Sequence, residues 1–88
     1  MLPEQLAAWM QQRLHREGCV YQDEAVDVAI KAGSQDLYRI NDDGNIVLSK
    51  PVLAAFQKLN AQTVVWVKPD RYWRFRCSTD EPGRQARG

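Results

Sequence analysis

TVVWVKPDRYWRFRC, residues 63 to 77, alternates large apolar and cationic side chains on either side of a Pro-Asp pair. Val64–Lys68 and Tyr72–Cys77 are rich in β-branched and aromatic residues, and Lys68-Pro69-Asp70-Arg71 between them has turn composition, so the stretch predicts an antiparallel hairpin. About that turn Val67 falls opposite Tyr72, Trp66 opposite Trp73 and Val64 opposite Phe75. Opposed residues share a face. One face therefore holds Val64, Trp66, Trp73, Phe75 and Cys77 and is expected to be core. The other holds Val65, Val67, Tyr72, Arg74 and Arg76 and is expected to be surface with a basic end.

The elements before this hairpin follow from periodicity and punctuation. Leu6, Trp9, Met10 and Leu14 recur at helical spacing between Pro3, which suits a first helical turn, and Gly18, which suits a stop, so a first helix is predicted over Pro3–Glu17. Cys19-Val20-Tyr21 is too short for a helix and reads as a connecting strand. Asp23 is a suitable N-cap for a second helix from about Glu24 to Ala32, with Asp27 also near its positive end and Val26, Ala29 and Ile30 inward. Leu37–Ile40 and Asn45–Leu48 form a second candidate hairpin through Asn41-Asp42-Asp43-Gly44, where Gly44 accepts a positive φ at little cost. Ser49 as N-cap and Pro51 in the first turn then begin a third helix to about Asn60. Its inward stripe is expected to be Val52, Leu53, Phe56 and Leu59, which leaves Lys50, Ala54, Gln57 and Lys58 outside.

An 88-residue chain with 44% hydrophobic and 26% charged residues fits one small α+β domain. Its margin of burial is thin, and the aromatic side chains must supply much of it. No window approaches a membrane span, and Glu4 precedes the first basic residue, Arg13, which argues against a signal peptide; the expected location is cytoplasmic, without a membrane partner. Cys19 and Cys77 have neither metal nor redox spacing and are expected to be small buried residues. From Thr79 the composition turns to Pro, Gly and charge, so residues 1–78 are read as the domain and 79–88 as a flexible tail.

Three helices followed by a two-stranded ribbon is the layout of a winged helix, with residues 50–60 in the recognition-helix position, residues 63–77 as the wing, and an extra small hairpin between helices two and three. The runs AAWM, YQDEAV, NDDGNIVLSKPVLAAF and VVWVKPDRYWRFR with the following DEPGRQ resemble a small bacterial family of unknown function with a winged-helix-like fold. The resemblance covers nearly the whole chain, which is also similar in size and character to proteins carried on mobile integron gene cassettes. It implies a fold, and it supplies no catalytic or binding residue.

The net charge of +1 conceals an asymmetry. Residues 1–45 are acidic through Glu4, Glu17, Asp23, Glu24, Asp27, Asp36, Asp42 and Asp43, whereas residues 46–88 are basic. Lys50, Gln57 and Lys58 on helix three, with Lys68, Arg71, Tyr72, Arg74 and Arg76 on the wing, form the candidate surface for a partner. For nucleic acid these side chains supply phosphate contacts and one ring for stacking, but Ala54 and Ala55 leave helix three short of long polar groups, and the pI of 7.8 is modest. For a protein partner or a second copy of the chain, Tyr72 beside Val65 and Val67 offers an apolar centre with an arginine rim, and Arg74 and Arg76 have Asp23, Glu24 and Asp27 as candidate partners. This second reading is the leading one. Catalysis is not expected: the only histidine, His15, has no marked nucleophile beside it, the carboxylates are accounted for by turns and helix ends, and no glycine-rich cradle exists. No cofactor or metal is assigned.

Overall fold

The computed structural model describes residues 1–80 and 83–86, with the backbone alone for Gln85 and Ala86. The order is α1 (Pro3–Glu17), β1 (Cys19–Tyr21), α2 (Gln22–Lys31), a 3-10 turn (Gln35–Leu37), β2 (Tyr38–Ile40), β3 (Ile46–Leu48), α3 (Lys50–Asn60), β4 (Val64–Val67), β5 (Tyr72–Phe75) and β6 (Gln85–Ala86).

Helix α1 has the predicted limits. Gln5 Oε1 accepts from the Leu2 N–H at 2.7 Å at one end, and Gly18 at φ 83° closes the other by donating to the Leu14 carbonyl at 2.8 Å. Leu6, Ala7, Met10 and Leu14 make its buried stripe, and the face packs most extensively on α3. β4 and β5 pair in the predicted register, with Val64 opposite Phe75, Trp66 opposite Trp73 and Val67 opposite Tyr72. β1 adds on the far side of β5, placing Val20 opposite Trp73, and β6 runs parallel to β4, so the sheet order is β1-β5-β4-β6. Helices and sheet meet at a ring cluster: Phe56 of α3 stands edge-on to Trp73 with centroids 5.3 Å apart, and Trp66 lies 4.5 Å from Trp73. The β2–β3 hairpin forms through the predicted turn, with Gly44 at φ 82° and Asn41 Oδ1 accepting from the Asp43 and Asn45 N–H groups at 3.0 and 2.9 Å.

Several expectations need correction. α2 starts at Gln22, not Glu24, because β1 runs straight into it: the Gln22 N–H donates to the Arg71 carbonyl at 2.9 Å, and Glu24, not Asp23, accepts from the Tyr21 N–H at 3.3 Å. Its inner stripe is Gln22, Ala25, Val26 and Ala29, which turns Ile30 outward. In α3 the inward positions are Val52, Phe56 and Asn60, four residues apart, so Leu59 faces out and Leu53 is half-buried. Ser49 holds the N-cap position, but its hydroxyl donates to the Asp36 carbonyl at 2.7 Å, tying the 3-10 turn to α3.

The largest correction concerns the back of the hairpin. Val65 and Val67 are fully buried, so that face is no open surface, while Phe75 and Cys77 on the expected core face are exposed. After Cys77 the chain turns back instead of trailing away: Asp80 accepts from Arg74 and from the Cys77 N–H, and the Gln85–Ala86 strand lies along Trp66 and Val67. The rest of the expected tail, Glu81, Pro82, Arg87 and Gly88, lies outside the described residues.

Candidate binding surfaces

The structure divides the candidate residues into four groups. Lys50, Gln57 and Lys58 lie exposed on α3, as expected. Lys68 and Arg71 are exposed at the β4–β5 turn. Arg74 and Arg76, in contrast, are half-buried and engaged. Arg74 holds Asp80 with two parallel hydrogen bonds of 2.9 Å, and Arg76 donates to the Gly83 carbonyl. A bidentate pair of this kind is the strong form of charged hydrogen bond. Arg74's hydrogen bonds, followed by that from the Cys77 N–H, hold the Asp80 carboxyl well below the usual carboxylate range, and the bond to Asp80 raises the Arg74 guanidinium in turn. These two arginines therefore fasten the C-terminal segment. Two of the three carboxylates proposed for them are committed elsewhere: Glu24 pairs with Arg13 and Asp27 with Lys31. Tyr72 is half-buried against Tyr21, ring centroids 5.0 Å apart, and its supposed apolar neighbours are interior.

Arg71 is peculiar in its backbone. Its φ of 55° is the one positive value outside glycine among the described residues. A long side chain there carries a local conformational cost that glycine would not.

Two concave surfaces flank this turn. The larger is a cleft of about 540 Å³ between the β2–β3 hairpin, α3 and the β4–β5 turn. Phe56, Trp66, Trp73 and Leu53 line it, and among the described residues Arg39, Lys68, Arg71 and Arg84 bring four cations against one carboxylate, Asp43. Arg84 enters from the C-terminal segment and donates to Asn60 Oδ1 at 2.8 Å and to the Asn60 and Val64 carbonyls at 3.3 and 3.2 Å. Its partners among the described residues are all uncharged. Burial, then the charge of Arg76, pulls its guanidinium below the ordinary value. The smaller depression is lined by Val26, Ile30 and Ile46, with Asp23, Asp27 and Arg71 around it. Ile40 stands across the hairpin from Ile46, and Ile30, Ile40 and Ile46 are 44%, 68% and 43% exposed.

Sequence reasoning missed Arg39, Arg84 and the isoleucine group. The Asp43-Gly44 turn was legible, but its strand bounds of Leu37–Ile40 and Asn45–Leu48 did not pair Ile40 with Ile46, and nothing local indicated that Ile30 would turn outward beside them.

Residues 3–75 match a family whose description is a family of unknown function, DUF6953. The chain belongs to DUF6953. The match ends at Phe75, before Asp80 and Arg84, which fasten the C-terminal segment. No curated protein matches the chain, and no solved structure does. Among the described residues no helix is long and apolar enough to cross a membrane.

Proposed function

We propose that this member of DUF6953 is a non-catalytic binding module of winged-helix-like architecture whose partner is a protein, with self-association the form its surface favours. The observation that carries this reading is the cluster of Ile30, Ile40 and Ile46, three large apolar side chains exposed together on one side of the molecule. Large apolar groups gathered in one place mark contact surfaces more often than scattered ones do. Acids Asp23 and Asp27 and the base Arg71 edge the same depression. Both signs of charge around one apolar centre suit a two-fold contact, in which each copy presents the same patch. Light scattering from about 10 μM to 1 mM is expected to show a dimer, and Ile40→Lys with Ile46→Lys to leave a monomer that melts like the parent. A parent that stays monomeric throughout overturns self-association.

A second reading is favoured by separate observations. The order helix, strand, helix, small hairpin, helix, strand, strand, with β5 between β1 and β4, supports a winged-helix reading in which α3 would be the recognition helix and β4–β5 the wing. Lys50, Lys58, Lys68 and Arg71 form no ion pair among the described residues. Against this reading, the 3-10 turn and the β2–β3 hairpin separate α2 from α3, and Arg74 and Arg76 are occupied. Fluorescence anisotropy with labelled random-sequence duplex DNA tests it. Engagement of these four cations predicts a slope of log affinity on log salt of about −3.6, reduced by about 1.8 in Lys50→Ala with Lys58→Ala. No binding at low salt removes the reading.

A further inference from the structure

We infer that the cleft between the β2–β3 hairpin, α3 and the β4–β5 turn is a binding site for a small planar organic anion, an aromatic ring carrying a carboxylate or a phosphate. Its volume of about 540 Å³ falls within the range of ligand sites and exceeds what one or two waters need. The wall supplies a flat apolar surface: Trp66 is half-buried, with one part of its ring against Trp73 and the rest available to the cleft. Aromatic rings prefer offset or edge-on neighbours, and Trp66, tilted 45° to Trp73, offers a ligand ring that kind of partner.

The head group is specified by charge. Arg84 sits in the cleft wall, half-buried, with Phe56 5.9 Å from its guanidinium, and among the described residues its hydrogen bonds go to two carbonyls and an amide oxygen. A guanidinium has five N–H donors, and these three bonds leave two without a partner among the described residues. A half-buried cation whose described partners are neutral acceptors gains more from an anion brought to it than a fully solvated one does. Arg39 and Lys68, exposed and without ion pairs among the described residues, extend the positive field to the opening. Among the described residues Asp43 is the one carboxylate in the lining and limits the site to ligands of low negative charge. Of the described lining residues the isoleucine depression shares only Arg71 with the cleft, and Arg39 and Lys68 line the cleft alone, so this site and self-association are tested separately.

The test is isothermal titration calorimetry of the full chain with 1-naphthoate, 1-naphthyl phosphate and the neutral 1-naphthalenemethanol. At least one of the anions should bind about ten-fold or more tightly than the alcohol, the tighter one identifying the head group, because only an anion engages the guanidinium. Arg39→Gln with Lys68→Gln, at exposed positions, should weaken the tighter anion by about ten-fold while the alcohol's affinity and the melting curve stay unchanged. Alcohol binding as tightly as both anions overturns the inference. So does anion affinity that is the same in the doubly substituted chain, and so does absence of binding by all three probes.

Discussion

Replacing Trp73 by Ala tests the packing on which both surfaces rest. The side chain is 4% exposed and touches the rings of Phe56 and Trp66, while Val20 and Trp66 are its cross-strand neighbours. A buried Trp removes about 200 Å² from water, which at about 25 cal/mol per Å² is about 5 kcal/mol; alanine recovers a small part of it, so a loss near 4 kcal/mol is expected. A domain of 88 residues has a total stability of about 4 to 13 kcal/mol. The substitution thus removes a large fraction of it, equivalent to a fall in Tm of roughly 16 to 30 °C. Trp66→Ala, at a half-buried ring, should cost about half as much. Urea unfolding followed by far-UV circular dichroism is the suitable assay, because Trp fluorescence changes with the substitution itself. A Trp73→Ala protein within about 1 kcal/mol of the parent, or a Trp66→Ala protein that loses more than Trp73→Ala, would refute the assignment of Trp73 to the centre of the core.

Asp80→Asn removes the charge that Arg74 and the Cys77 N–H hold, so amide exchange at Trp66, which donates to the Arg84 carbonyl, should accelerate about ten-fold while α1 exchanges as before. Because the folded carboxyl is held below its ordinary value near 4, the contribution of Asp80 is complete above that value and is lost only as pH falls through the lower one; moving the parent from pH 7 to pH 5 should leave this protection unchanged. Asn60→Ala deprives both Gln11 and Arg84 of a partner and should cost about 1 to 3 kcal/mol in urea unfolding, whereas Leu59→Ala, 52% exposed, should cost under about 1 kcal/mol; the reverse order would contradict the inward face of α3.

The parts of the fold legible in the sequence are those fixed by neighbours along the chain. Periodicity and Gly18 suffice for α1, and alternation around Pro69-Asp70 suffices for the β4–β5 register. Helix phase was harder. Asn60 does not look like a core residue until Gln11, 49 positions earlier, is seen to accept from it, and once Asn60 turns inward Leu59 must turn outward. The burial of Val65 and Val67 was hidden for a related reason. Residues 77–80 and 83–86 have a polar composition that suggests solvent, yet their order comes from Arg74, Asp80 and Arg84, charged groups whose pairing no local pattern reveals. The isoleucine cluster and the cleft are likewise assembled across the β2–β3 hairpin from residues distant in sequence.

Counting arginines as one basic surface therefore mistakes their duties. Arg74, Arg76 and Arg84 close the back and edge of the sheet, and what they hold is this chain's own C-terminal segment. Arg39, Lys68 and Arg71 have no such duty among the described residues, and they stand where a ligand or partner would arrive. Arg71 is the most informative of these. Its carbonyl fixes the start of α2, a task any residue performs, while its φ of 55° would be relieved by glycine. Stability alone thus gives no reason for a long cationic side chain at that turn. The side chain lines both the cleft and the isoleucine depression, so the reason is to be sought in what those two surfaces bind.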